Sequence, residues 1–235
     1  MARVFHTHFL YLCPECQNDG DVESALILLD EYAGRRRCAS ISFEGIRTTA
    51  VLKNLDPGRL VKAGYTWHER VHLELQLDQR PLPASSPSEV DITPLSLKPA
   101  NVSRLMQLES EAFLHAACDH PGELPLDFSD GYRTTLIPMQ ATSAMAVDRE
   151  GCIRGALYAE GKGDAAWIHA LFVEPGWRNR GIARVLLEYC LWQHCKAGFD
   201  TCELMVLAAN IPAVNLYMHA GFEEIRRVDL FIRRI

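Results

Sequence analysis

EPGWRNRGIARVLLEY, residues 174–189, places three arginines among small residues at the start of an apolar stripe. The spacing of i, i+3, i+4 and i+7 in this stripe predicts a helix whose buried face carries Ile182, Val185, Leu186 and Tyr189. A helix start offers unpaired backbone N–H groups and the positive end of the helix dipole, so it favours a bound anion. Because arginine side chains add positive charge at this point, we predict a phosphate-binding site here.

The bulk composition is that of a globular protein, and it excludes some partners. The chain has 235 residues, of which 48% are hydrophobic and 23% are charged. The net charge of −6 argues against a general nucleic-acid binder, since such proteins carry a basic excess. No apolar run approaches the roughly 18 residues that a membrane span requires. The first residues, MARVFHTHFLYLCPEC, lack a small-residue cleavage site, so we expect neither a signal peptide nor a membrane partner, and a cytoplasmic location.

The eight cysteines do not predict a disulfide framework, because they are scattered along a chain far larger than a stapled mini-protein. CPEC at 13–16 is the one close pair. Zinc would need two further ligands, for which Cys38, His6 and His8 are the near candidates. Without a second such pair, a turn is the favoured interpretation and no metal is expected.

The chain is predicted to divide near residue 80. Residues 79–90 are rich in proline and serine and read as an extended linker. Before it, residues 71–77 alternate between apolar and polar as in a half-buried strand, residues 21–34 have a helical pattern, and two further segments are strand-like. We therefore predict a small α+β domain of unassigned role over 1–78, and a second domain over 91–235.

The second domain has a regular order of elements. After a strand and a helix capped by Asn101 come three strands, at 134–148, 152–161 and 165–175. The helix of the opening stretch follows, and then a buried strand, a helix beginning at Asn210 and a last strand. This order predicts an α/β fold with a mixed sheet and helices on both faces.

The loop before the opening helix is neither of two familiar phosphate-binding loops. No lysine follows Gly181, as a Walker loop needs, and a dinucleotide fingerprint needs more than one glycine. What remains is V-E-P followed by Arg178-x-x-Gly181-x-Ala183, which resembles the acetyl-CoA-binding motif of the GNAT superfamily of N-acetyltransferases. Small side chains at positions 181 and 183 would let backbone N–H groups close on a diphosphate. From the residues alone, a solvated basic loop that caps an ordinary helix remains an alternative.

A second motif lies at the expected distance downstream. N-I-P-A-V-N-L-Y-M-H-A-G-F, residues 210–222, resembles the other hallmark of the superfamily, N-x-x-A-x-x-L-Y followed by G-F. The resemblance implies that Asn210 contacts the pantetheine arm and that Tyr217 protonates the departing thiolate. Taken singly, Asn210 would equally serve as a helix cap and Tyr217 as a core residue.

Together the two motifs imply a GNAT-type fold over residues 91–235: a mixed, mostly antiparallel sheet flanked by helices, here preceded by the small α+β domain. The resemblance implies acetyl-CoA as co-substrate, with its pantetheine along the backbone near Phe172 and Val173 and an N–H near Val173 polarising the thioester carbonyl. The implied cofactor-binding residues are Phe172, Val173, Arg178, Asn179, Arg180, Gly181, Ile182, Ala183, Arg184 and Asn210.

A protonated amine must lose a proton before it attacks a carbonyl, so a base is expected. Strict alternation along the strand at 165–175 would place Trp167, His169, Leu171 and Val173 on one face. His169 matches a strand position where the similar arylalkylamine N-acetyltransferases carry a histidine beside the acceptor channel, whereas Trp167 stands where they carry a second. A histidine hydrogen-bonded within the sheet is the alternative, and the weaker candidates for the base are Glu174, Glu109 and Glu111.

The function implied is direct transfer of an acetyl group from acetyl-CoA to an amine, with His169 and Tyr217 as catalytic residues. The acceptor is a small-molecule or peptide amine. Acids in the loop before residue 133 (Glu123, Asp127 and Asp130) would favour a cationic amine, and the alternative is that they are simply solvated. One alternative is an acyl-CoA sensor without turnover, and another is an interaction module built on residues 1–80. The sequence leaves open whether the protein forms a homodimer.

Overall fold

The computed structural model describes residues 31, 40–45, 57–78, 89–114 and 136–234. In these residues eight strands form one sheet in the order β1-β8-β2-β7-β6-β5-β4-β3. The strands are β1 (Ser40–Gly45), β2 (Thr66–Gln76), β3 (Val90–Pro94), β4 (Ala144–Asp148), β5 (Ile153–Lys162), β6 (Ala165–Val173), β7 (Thr201–Leu207) and β8 (Glu223–Arg234). The predicted mixed sheet is confirmed: β6 and β7 are parallel, and the other neighbours are antiparallel.

Four α-helices and one short 3-10 helix (Pro175–Trp177) accompany the sheet in the described residues. The α-helices are α1 (Pro57–Lys62), α2 (Pro99–Leu114), α3 (Ile182–Ala197) and α4 (Ile211–His219). Of the stripe expected on α3, Ile182, Val185 and Leu186 are buried and Tyr189 is half-buried. Ile182 and Leu186 join Tyr217 of α4 in a common core on one face of the sheet. On the opposite face, α2 buries Leu105 and Leu108 against β4, β5 and β6. The sheet is therefore covered by helices on both faces, as predicted. None of the described helices is long and apolar enough to cross a membrane.

Strand β2 corrects the predicted division of the chain. It lies between β7 and β8, pairing along one edge from Arg70–Leu207 to Gln76–Thr201 and along the other from Thr66–Ile232 to Glu74–Glu223. Leu73 and Leu75 are buried in the same core as α3. Residues 66–76, and β1 on the far side of β8, thus belong to the sheet that was assigned to 91–235 alone. The reason is physical: the alternating apolar residues of β2 have their partners on strands more than a hundred residues away.

Other details differ locally from the sequence expectations. The strand predicted over 134–148 is confirmed only from Ala144, because residues 137–142 form turns that rest on backbone bonds such as Thr142 N–H to the Met139 carbonyl. Helix α2 begins at Pro99, so Asn101 lies inside its first turn and donates to the Ser96 carbonyl instead of capping the helix. The predicted helix at 21–34 lies outside the described residues, apart from Glu31. Of the linker predicted over 79–90, residues 79–88 also lie outside them, and Val90 is the first residue of β3.

Candidate active site

The parallel strands β6 and β7 part halfway along their length. Their pairing runs from Ala165–Thr201 to Ile168–Leu204 and then stops, although β6 continues to Val173 and β7 to Leu207. A cavity of about 620 Å³ opens at this divergence, lined by the diverging strand ends and by the starts of α3 and α4. We call it the splay cavity. It brings together backbone and side chains from elements that are distant in sequence.

The edge of β6 turns backbone groups of Val173 toward the splay cavity. Glu174 N–H donates to the Arg154 carbonyl at 2.8 Å, so the pair Val173–Gly155, one step earlier, is a non-hydrogen-bonded pair of the antiparallel ladder. The N–H and C=O of Val173 therefore point away from β5, toward the gap. The C=O accepts from Arg178 Nε at 3.1 Å, which ties this side chain to the strand and leaves the Val173 N–H directed at the cavity.

The start of α3 has the backbone expected of an anion site. Gly181 precedes the helix with φ 80°, Asn179 has φ 61°, and no side chain caps the first turn. A φ of this sign is strained for residues with a side chain, so the loop depends on glycine at 181. The uncapped N–H groups of the first turn have no intrahelical partner and face the same end of the cavity.

Most of the predicted cofactor-binding residues line the splay cavity. They are Phe172, Val173, Arg178, Asn179, Gly181, Ile182, Ala183, Arg184 and Asn210. Arg180 does not: its guanidinium lies 3.1 Å from Glu89, donates to the Gly176 carbonyl and stacks on Trp177. The structure thus separates Arg180 from the other two arginines of the motif, because its side chain turns outward toward Glu89.

A network of side chains supports the loop from behind. The Trp177 ring lies 4.6 Å from the Arg154 guanidinium carbon and 4.9 Å from that of Arg180. Arg154 in turn bonds Asp148 at 2.7 Å and Glu174 at 2.8 Å. Trp177 also lines the cavity, a position that the sequence reasoning missed. The only signal in the sequence was an aromatic residue beside two arginines, which is consistent with cation–π stacking but does not specify it.

Helix α4 contributes Asn210 and Tyr217. The Asn210 carboxamide oxygen accepts from Ala213 N–H at 3.4 Å, which confirms the helix cap, and the residue also lines the cavity. Tyr217 is 7% exposed, lines the cavity and packs edge-on against Phe222 with the ring centroids 5.7 Å apart. Burial, with the nearby Cys202, raises the pKa of Tyr217, so the phenol stays protonated at neutral pH. A protonated phenol at this place is able to donate.

His169 lies at a bulge of β6, where the strand changes its facing. Tyr158 of β5 pairs with Ala170, but the next residue of β5, Ala159, pairs with Ile168. His169 therefore has no partner opposite it. As a result Ile168 and Val173 share the core with α3, and the prediction that Trp167, His169, Leu171 and Val173 share one face is wrong. Trp167 instead lies against His72 of β2, with ring centroids 5.3 Å apart.

The bulge keeps His169 at the cavity wall, where its Nε2 lies 2.9 Å from Glu160 Oε1. Both side chains are about one-third exposed, at 34% and 33%. The other candidate bases are placed less favourably. Glu174 is engaged by Arg154 and Arg104, while Glu109 and Glu111 lie on α2 and are not among the residues that line the cavity.

The sequence reasoning also missed the contribution of strand β2. Arg70, opposite Leu207 in the ladder, lines the cavity together with Met205 of β7 and Ala112 of α2. A guanidinium from the first 78 residues therefore belongs to the wall of a site predicted to lie wholly in 91–235. The acidic loop residues Glu123, Asp127 and Asp130, and the pair Cys13 and Cys16, lie outside the described residues.

Comparison with known proteins finds a family model that matches part of the chain and solved structures with a similar fold. The family described as Acetyltransferase (GNAT) domain matches residues 141–224. An uncharacterised N-acetyltransferase of Methanocaldococcus jannaschii is 35% identical over 74 residues, which are 32% of this chain and 33% of that protein. A mycothiol acetyltransferase of Clavibacter sepedonicus is 33% identical over 94 residues, 40% of this chain and 31% of that protein. The chain therefore covers about a third of the length of these relatives.

Among solved structures, a GCN5-related N-acetyltransferase from Sphaerobacter thermophilus superposes with a TM-score of 0.70 at 20% identity. The superposition covers 96% of this chain and 71% of that one. It therefore extends well beyond the region matched by the family, and at this identity it shows the fold.

Proposed function

We propose, on the premise that residues 141–224 belong to the GNAT acetyltransferase family, that this protein transfers an acetyl group from acetyl-CoA directly to an amine. One observation carries the proposal: the uncapped start of α3 and the side chains of Tyr217 and His169 all line the splay cavity. The α3 start would then bind the diphosphate of the coenzyme at one end of the cavity, and Tyr217 and His169 would lie beside the thioester further in.

The coenzyme would be held mainly by backbone. The N–H groups at the start of α3, with Arg178 and Arg184, suit the diphosphate, because a helix start and guanidinium groups both favour negative charge. The edge of β6 suits the pantetheine amides, which would bond to it as an added strand does. The N–H of Val173 points away from β5 toward the cavity and would polarise the thioester carbonyl.

The chemistry then needs one base and one acid. His169 accepts a proton from the acceptor ammonium, and the free amine forms a C–N bond to the carbonyl carbon. When the C–S bond breaks, its electron pair leaves with sulfur and Tyr217 donates a proton to it. The nitrogen gives up its second proton, which restores the Tyr217 phenol, and the proton on His169 leaves to solvent. The products are an amide, coenzyme A and one proton.

A thiol-release assay tests the proposal. Acetyl-CoA is incubated with the full chain and a panel of small-molecule and peptide amines, and free thiol is measured with and without each amine. We expect release that depends on an amine, and no acetylated protein by mass spectrometry when the amine is omitted. Stoichiometric binding of acetyl-CoA with no release for any amine would instead support the sensor. An acetylated protein intermediate would contradict direct transfer.

A further inference from the structure

We infer that the acceptor amine carries a carboxylate and that Arg70 of β2 is the residue that recognises it; this inference rests on the proposed function. Of the described residues that line the splay cavity, three are arginines and none is an aspartate or a glutamate. Arg178 and Arg184 belong to the loop and first turn at the α3 start, where the diphosphate is proposed to bind. Arg70 comes from a different strand, so its place in the cavity decides which group it contacts.

Arg70 faces the side of the sheet opposite α3. The pairing of β2 with β7 is regular over residues 70–76, so alternate residues of β2 point to opposite faces. Val71 is buried in the core that contains the apolar stripe of α3. Arg70 therefore faces the side that carries α2, whose Ala112 also lines the cavity.

Arg70 also lies beyond the point at which the two parallel strands part. The pairing of β6 with β7 ends at Ile168–Leu204, and Arg70 stands opposite Leu207, three residues further along β7. The Tyr217 ring belongs to the core on the α3 face, so the cavity is lined from both faces of the sheet. A coenzyme bound at the α3 start would leave the α2 side, with its guanidinium, to the acceptor.

The chemistry of this wall favours an anionic group on the acceptor. A guanidinium binds a carboxylate through two parallel N–H donors, and its five donors leave others to hold the side chain in place. A second ammonium, as in a diamine, would find a cation here and no carboxylate among the described lining residues. The sequence expectation of a cationic acceptor depended on Glu123, Asp127 and Asp130, which lie outside the described residues. An amino acid or a related amine with an ionised carboxylate is therefore the acceptor class that we propose.

Matched acceptor pairs test the inference. Thiol release by the full chain is measured with α- and ω-amino acids, each compared with the amine of the same skeleton that lacks the carboxylate. We expect kcat/KM to be about 10- to 100-fold higher for the acid, the range for hydrogen bonds between charged groups. Arg70→Gln should abolish this preference, and Arg70→Lys, which keeps the charge but loses the paired donors, should reduce it less. Arg149→Gln, at an exposed residue of the β4–β5 turn, is the control and should keep it.

The same variants show whether Arg70 instead serves the coenzyme. The Kd for acetyl-CoA, measured by calorimetry, should change by less than about two-fold in Arg70→Gln. A weaker coenzyme affinity in that variant would overturn the inference, as would a wild-type chain with no preference for the acids or an unchanged preference in Arg70→Gln.

A binding measurement separates this inference from the proposed function. If no amine supports thiol release, the proposed function fails, and the same acceptor pairs are titrated by calorimetry into the full chain with coenzyme A present. Binding of the acids in preference to their matched amines, lost in Arg70→Gln, would support the carboxylate site independently of turnover. The absence of such a preference would overturn it.

Discussion

Leu73 of β2 and Leu204 of β7 are direct partners in the antiparallel ladder, and both are essentially inaccessible, at 0% and 1% exposure. Leu204 is also the residue at which β7 stops pairing with β6. The strand from the first part of the chain thus packs beside the point where the splay cavity opens. Strand β2 packs against the strand that forms one side of the splay cavity, and its Arg70 is one of the residues that line the cavity.

Leu73→Ala tests whether β2 is integral to the domain. Truncating a fully buried leucine removes apolar contacts and leaves a cavity, which costs about 2–5 kcal/mol. We expect the free energy of unfolding to fall by that amount in a single transition, measured by urea titration with far-UV circular dichroism and tryptophan fluorescence. Gln76→Ala, at the exposed end of β2, is the control and should change it by less than about 0.5 kcal/mol. Two separate transitions, with only one of them moved, would show that the strand belongs to an independent domain.

The helix starts could be read from the sequence because their determinants are local. Gly181 at a left-handed position, Asn210 as the cap of α4 and the apolar stripe of α3 each depend on residues within one or two turns. Residues of these two motifs make up much of the lining of the splay cavity. The motifs therefore indicated the end of the sheet at which the cavity lies. The fold was implied by the resemblance of the two motifs, taken in order, to those of the GNAT superfamily.

The position of β2 and the facing of β6 could not be read in this way. Alternation shows that Val71, Leu73 and Leu75 form a buried face, but it carries no information on which strands flank them. A bulge inserts one residue and reverses the facing of the residues beyond it, so Leu171 and Val173 were wrongly assigned to the face that carries Trp167. The outward turn of Arg180 depends on Glu89, which lies 91 residues earlier.

Tyr217→Phe should separate catalysis from binding. Phenylalanine keeps the packing against Phe222 and removes only the hydroxyl, so the core and the shape of the splay cavity are retained. Because general acid catalysis contributes about 10²- to 10⁴-fold, we expect kcat to fall within that range while the Kd for acetyl-CoA changes by less than about two-fold. Tyr189→Phe on α3, which removes a hydroxyl bonded to Gln193, is the matched control. An unchanged kcat in Tyr217→Phe would exclude this phenol as the acid.

Gly181 and Gly198 form a matched pair at the two ends of α3. Both have left-handed φ, 80° and 85°, and a Cβ added at Gly198 would meet nothing within 4 Å. Leucine at either position should therefore cost a similar backbone strain of about 1–2 kcal/mol. Only Gly181→Leu adds a side chain at the cavity, so calorimetry should show weaker acetyl-CoA binding for it alone. Equal affinities in the two variants would argue against the assignment of the α3 start as the diphosphate site.

Because of His194 on α3, we expect the free energy of unfolding to decrease as the pH is lowered. The ring is 0% exposed, its Nε2 donates to the Thr142 carbonyl at 3.0 Å, and Nδ1 lies 3.8 Å from Cys202 Sγ. Burial lowers the pKa of His194, against a smaller opposing effect of the bond to Thr142. In the unfolded chain His194 therefore takes up a proton at about pH 6.5, whereas in the folded chain it does not.

The sign follows from this difference. The contribution of His194 is complete above about pH 6.5 and is lost as the pH falls toward the lowered folded pKa, with a slope of at most about 1.4 kcal/mol per pH unit. Urea titrations at pH 7, 6 and 5 should show this decline in the wild type and a flatter dependence in His194→Gln, whose amide still offers a donor to Thr142. His219→Gln, at an exposed histidine of α4, should keep the wild-type slope. An identical slope in His194→Gln would mean that other groups account for the acid sensitivity.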